Sequence, residues 1–190
     1  MKALSAIHIN GAIHRDVKAD NVLVTGIDEE LKGPRIKLAD FGFATPVDPG
    51  IGMRVSLGTR MYMAPEVLRK DSSHTSALDI WAVGVLAYYL VSQGNYPFPG
   101  INKEAVDNKI LTLEPDLEAL NFDKNNQFAM DAKNFMQKCL NKTPEERPSA
   151  KDLLDDDDFI KRVNMRNDER ISEDLMKNVA FNVKSRTQFV

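Results

Sequence analysis

Three short motifs, in fixed order, constrain this chain more than anything else in it. His14-Arg15-Asp16 with Lys18 and Asn21 comes first, then Asp40-Phe41-Gly42, then Ala64-Pro65-Glu66. Five fixed residue types in the first motif alone arise by chance about once in ten thousand chains of this length. Their chemistry is coherent. Asp16 is short and anionic, and a turn holds it rigidly. Lys18, two residues on, faces the same cleft. Asn21 offers a neutral carbonyl oxygen and Asp40 a carboxylate, the donors that a hard divalent cation prefers. Taken singly, Asp16 reads as a turn-forming aspartate and Lys18 as a solvated lysine; together they read as a site.

The surrounding pattern predicts a mainly α chain with a small β hairpin near its start. Residues 1 to about 10 read as the end of a helix with Leu4, Ile7 and His8 on one face, stopped at Asn10-Gly11. "NVLVT" (21–25) and "RIKLAD" (35–40) are β-branched runs separated by a long loop, and so form a strand pair. This hairpin folds the chain back so that Asn21 and Asp40 can serve one cation. Residues 42–63, rich in Gly, Pro and Thr, read as an ordered loop. A central helix from Leu78 to Gln93 is apolar nearly all round. "KEAVDNKILTL", "QFAMDAKNFMQKCLNK" and "SAKDLLDDDDFIKRV" follow as helices, with a tail that repeats apolar residues at Ile171, Leu175, Val179 and Val183.

Composition excludes several classes. Of the 190 residues, 43% are hydrophobic and 28% charged, which does not suit general disorder. A net charge of -3 argues against nucleic acid or a membrane surface as a partner held by bulk charge. The longest apolar run, Ile80 to Val91, is too short to span a bilayer. His8 and Asn10 break up any signal-like start. A single cysteine, Cys139, suits a reducing compartment, so a cytoplasmic or nuclear location is expected.

The motif set resembles that of the eukaryotic protein kinases over residues 3 to about 160. The resemblance implies the C-terminal lobe of the α+β kinase fold (1–160) followed by a helical tail (161–190). It implies ATP and Mg²⁺ as cofactors, a protein substrate, and transfer of the γ-phosphate to serine or threonine hydroxyls. Asp16 would then orient the substrate hydroxyl and Lys18 neutralise the phosphoryl group. Thr59 would hydrogen-bond to both, and Asn21 and Asp40 would hold the metal. Lys18, Asn21, Leu23 and Asp40 would contact the nucleotide, with Leu23, Leu86 and Leu90 as the floor under adenine. Core packing explains those leucines equally well. By the same resemblance Asp79 caps the His14-Arg15 turn, Glu66 pairs with Arg147, and His14 stacks with Phe41.

Lys18 and "GTRMYMAPE" place the resemblance with the Ser/Thr enzymes. The long hairpin loop ending "GPRIKLADFG" places it near the calcium- and calmodulin-dependent group. Asp20 implies a basophilic preference or is a plain turn residue. Val55 stands where the activating phosphorylation usually occurs, leaving Ser56 and Thr45 as nearest hydroxyls. The run at 155–158 lacks the glycine and distal glutamate of a calcium loop and reads as a solvated helix end. The tail reads either as an inhibitory junction helix or as an amphipathic helix docked on the lobe.

No Gly-x-Gly-x-x-Gly occurs in the sequence. The expectation is therefore a lobe whose N-terminal counterpart is missing. It would have at most trace activity by itself and would expose His14, Phe41 and Leu23 to that missing lobe or to a regulatory partner. The alternative is a non-catalytic truncated lobe serving as a binding or scaffold module.

Overall fold

A computed structural model of the protein describes residues 1–28, 33–46, 60–70 and 74–165. Seven helices carry the described part: α1 (Lys2–Ile9), α2 (Pro65–Arg69), α3 (Ala77–Val91), α4 (Lys103–Thr112), α5 (Gln127–Cys139), α6 (Ala150–Asp156) and α7 (Asp158–Met165). Four short strands make two antiparallel two-stranded sheets. β1 (Ala12–Ile13) pairs with β4 (Thr45–Pro46), and β2 (Val22–Asp28) pairs with β3 (Gly33–Leu38).

The core forms around α3. Its residues Leu78, Ile80, Trp81, Ala82, Val85 and Tyr88 are buried, which follows from a helix apolar on every side. Trp81 stacks on Phe98 with ring centroids 5.7 Å apart, and Ile110 of α4 and Phe135 and Met136 of α5 complete the same cluster. At Gly84 the α3 and α5 backbones come so close that a Cβ would lie 2.8 Å from Cys139 Cβ and Leu140 Cγ. Only glycine permits that approach.

Helix ends follow from local chemistry. Asn126 accepts from the Phe128 and Ala129 N–H groups to start α5, and Ser149 and Asp152 form a reciprocal capping box on α6. α1 ends where Gly11 takes φ +72°, its N–H bonded to the His8 carbonyl.

Two expectations need correction. The single helix expected over "SAKDLLDDDDFIKRV" is two, because Asp157 is extended (φ -73°, ψ 129°) and its carboxylate accepts from the N–H groups of Phe159 and Ile160. An aspartate offers a helix start more readily than a helix interior, so the acidic run breaks where it was read as continuous. The stretch 42–63, read as loop, contains β4 and a 3-10 turn at Arg60–Tyr62. The tail beyond Met165 and the hydroxyls of Ser56 and Thr59 lie outside the described residues. Among the described residues no helix is long and apolar enough to cross a membrane.

Candidate active site

The site begins with a buried carboxylate. Asp79, in the first turn of α3, is fully buried, and its two oxygens accept from the backbone N–H groups of His14 and Arg15 at 2.8 Å each. Its Oδ2 also meets His8 Nε2 of α1 at 2.8 Å. Three bonds thus fix the turn that follows β1. Arg15 takes φ 68° there, a conformation costly for a side-chain-bearing residue and sustained by the surrounding bonds.

Beyond the turn, three polar side chains converge. Asp16 Oδ2 accepts from Lys18 Nζ at 2.6 Å and from Asn21 Nδ2 at 2.9 Å, and the same Asn21 amide donates to the Asp16 carbonyl at 2.7 Å. Asp16 and Asn21 are buried while Lys18 is partly open. Because its nitrogen is committed to Asp16, the Asn21 amide turns its carbonyl oxygen the other way. A 3-10 turn at Ala19–Asn21 makes this arrangement, since it brings residues 16, 18 and 21 onto one side.

The hairpin then delivers Asp40. The Asn21 carbonyl accepts from Ala39 N–H at 2.8 Å, which places Asp40 one residue from Asn21's partner. Asp40 is exposed, takes φ 61°, and its Oδ1 accepts from Gly42 N–H at 3.2 Å. His14 lies beneath this segment. Its ring meets Phe41 edge-to-face at 4.9 Å, and its Nε2 is 3.2 Å from the Ala39 carbonyl.

The expected exposure of His14 is therefore wrong: the residue is fully buried, because Phe41 and residue 39 cover it. Phe41 itself is half exposed, as are Leu23 and Leu90, while Leu86 packs partly against the core. Packing into the core accounts for Leu86 but not for Leu23 or Leu90. Asp20 is exposed.

Among the described residues no group of three His, Cys, Asp or Glu side chains is placed to hold a metal. Asn21 and Asp40 supply one amide oxygen and one carboxylate. That is a poor cage for zinc or calcium, but it fits Mg²⁺, which keeps waters and shares phosphate oxygens.

One connection lay beyond the reach of sequence reasoning. Arg60 Nε donates to Asp107 Oδ1 at 2.7 Å while Nη2 meets Oδ2, a forked pair between the 3-10 turn and α4. On the same turn, the Tyr62 hydroxyl accepts from Ala19 N–H at 3.5 Å, and burial pushes the phenol well above its usual range. Nothing in local spacing signals a pair separated by 47 positions.

A family model described as "Protein kinase domain" matches residues 1–159. The chain is 35% identical over 150 residues to a probable myosin light chain kinase of Dictyostelium discoideum, covering 79% of this chain and 41% of that protein. It is 31% identical over 154 residues to CDPK-related kinase 8 of Arabidopsis thaliana (81% and 24%). It is 33% identical over 187 residues to human cyclin-dependent kinase-like 4 (84% and 46%). The chain spans well under two thirds of the length of each of these relatives.

Proposed function

The chain belongs to the protein kinase domain family, and on that premise we propose that it is the C-terminal, substrate-binding lobe of a protein serine/threonine kinase. The observation that carries this reading is the Asp16–Lys18–Asn21 triangle on a turn pinned by Asp79. Phosphoryl transfer asks a protein for positioning and charge neutralisation more than for covalent work, and this arrangement supplies both. Asp16 would accept the hydrogen bond of a substrate hydroxyl and aim its oxygen. Lys18, already beside Asp16 and partly open, would turn toward the transferred phosphate. Asn21 and Asp40 would hold Mg²⁺, which neutralises charge on the phosphate oxygens when bound. Thr59 is proposed to tie the following segment to Asp16 and Lys18.

The open face supports the lobe assignment. Leu23, two residues after Asn21, is 48% exposed, and Phe41, next to Asp40, is 50% exposed. A two-stranded sheet with so little cover is marginal in water by itself, which suits a surface that meets a second, nucleotide-gripping body. An ATP site normally encloses about 70–90% of its ligand, so this lobe supplies one wall. Alignment lost without the other wall is worth about 7–11 kcal/mol of barrier. Calcium- or calmodulin-type regulation and a basophilic preference through Asp20 remain part of the proposal, as does a cytoplasmic or nuclear location. The first two draw on the hairpin loop ending at Gly42 and on Asp20.

The test is phosphotransfer from labelled Mg-ATP to a basic serine peptide, with the chain alone and joined to a kinase N-terminal lobe. Trace transfer alone, a large gain on joining, and loss of that gain in Asp16→Asn are expected. Full activity of the isolated chain overturns the lobe reading, and undiminished activity in Asp16→Asn overturns the assignment of Asp16.

A further inference from the structure

The 3-10 turn Arg60–Tyr62 stands between α4 and the site, gripped at both ends. At one end Arg60 forks onto Asp107 of α4. At the other, the buried ring of Tyr62 lies against Tyr96, centroids 5.7 Å apart, and its hydroxyl takes the N–H of Ala19. Ala19 follows Lys18 directly and opens the turn that ends at Asn21.

From this we propose that Arg60 is a positioning residue: clamped by Asp107, it sets the register of the 3-10 turn, and through Tyr62 it holds the Lys18–Asn21 segment against Asp16. The functional meaning rests on the kinase reading above; the mechanical coupling does not.

Three features require an outside clamp. First, a three-residue 3-10 turn has little stability of its own; Met63 N–H closes it onto the Arg60 carbonyl at 3.2 Å. Second, the Tyr62–Ala19 bond at 3.5 Å is at the limit of useful length, so a slide of a few tenths of an ångström abolishes it. Third, the clamp has the right geometry. An exposed ion pair normally contributes little, but a guanidinium fork fixes direction as well as distance. Glu104, one turn before Asp107 on α4, adds a second negative charge that favours the Arg60 cation. An ammonium group could keep the attraction but not the fork.

Amide hydrogen exchange and nitrogen NMR on the 190-residue chain test this without needing turnover. In Asp107→Asn, exchange at Ala19 should rise about tenfold, as for loss of one hydrogen bond. The Lys18 Nζ signal should broaden as its contact with Asp16 loosens. Arg60→Lys should behave similarly. The swapped pair Arg60→Asp with Asp107→Arg should restore Ala19 protection to within about threefold of the parent, because the forked pair is rebuilt. Should Asp107→Asn fail to fold, Arg60→Lys alone carries the comparison. Unchanged Ala19 exchange in both single variants overturns the proposal. So does a raised exchange that the swapped pair leaves raised, since that marks general loosening. With the chain joined to a kinase N-terminal lobe, the single variants should lower kcat more than KM for the peptide, and a loosened Ala19 with intact kcat also overturns the positioning role. If the kinase reading itself fails, Asp16→Asn is as active as the parent while the Ala19 response persists, so the two failures are distinct.

Discussion

Arg147 and Glu66 lie 81 positions apart, yet both are buried and joined by two bonds, Nη1 to Oε1 at 2.7 Å and Nη2 to Oε2 at 2.8 Å. Arg147 also donates to the carbonyls of Asn141 (2.7 Å) and Ala77 (3.0 Å), and its guanidinium lies 5.1 Å from the Trp81 ring centroid. Such a pair is held in place less by net attraction than by the cost of stranding either charge. Glu66→Gln should therefore lower the unfolding free energy by about 3–5 kcal/mol, read as a fall in the urea midpoint at unchanged slope. Replacing both residues with apolar ones of similar size should cost far less; an equal loss would mean that the pair is stabilising in its own right. At this scale the sequence brought Asp16, Lys18 and Asn21 to notice, although it misjudged the burial of His14 in the same motif. Asp16, Lys18 and Asn21 lie within six positions of one another, so a turn is enough to bring them together. Arg60 was opaque for the opposite reason. Its partner Asp107 arrives with a different helix, and an arginine gives no sign of which carboxylate the fold will bring to it.

Lys142 shows how elements, rather than residues, fix a side chain. Its ammonium lies 4.2 Å from the ring centroid of Phe98 and 5.1 Å from that of Trp81 on α3, and it donates to the Ile110 carbonyl on α4. It thereby clips two helices to the segment after α5. Burial pushes the Lys142 ammonium down to about 8; Glu114 opposes the shift, and Arg69 and Arg147 add to it. The ordinary lysine value is near 10.4, so between about pH 8 and 10 the unfolded chain binds more protons at this residue than the folded one. Its contribution to stability therefore rises with pH across that window and is lost as pH falls toward 8. Cys139 works the other way, since burial raises its thiol above its usual range. The test is thus a difference between two chains. Plotted against pH, the stability of the parent minus that of Lys142→Met should climb from pH 8 to 10. A flat or falling difference means that the aromatic rings hold the cation charged. Elements with a strong apolar period were legible: α3 was expected over 78–93 and runs over Ala77–Val91, and α4 and α5 fall where their spacing put them. The break between α6 and α7 was missed because four consecutive aspartates look alike in sequence. Only tertiary context selects Asp157 as the one that turns inward to Lys138, 2.7 Å away, and caps the next helix.

At the scale of the whole molecule, the described residues form one well-packed side and one open one. The packed side is organised by α3; the open side is the β2–β3 hairpin with Phe41 and the Asp16 site beside it. In the hairpin register Val24 faces Ile36 directly, and both are about half exposed or more, at 49% and 60%. The sequence foretold a hairpin with an open Leu23, but not the exposed Val24–Ile36 pair, because β-branched runs look the same whether or not another body packs on them. An exposed apolar cross-strand pair is a sticky surface, of the kind that drives association unless a partner covers it. Its contribution to the fold of this chain is small, since most of its area is in water already. Two substitutions made together, Val24→Thr and Ile36→Thr, keep the β-branched shape and the ladder while removing apolar area. The double variant should stay within about 0.5 kcal/mol of the parent in unfolding free energy, as expected for surface changes. Its self-association in sedimentation velocity should fall, and so should its binding of a hydrophobic dye. When the chain is joined to a nucleotide-binding lobe the order should reverse, with the parent pairing better than the variant. A large loss of stability in the variant would place these side chains in the core of this chain and remove the case for an outside cover.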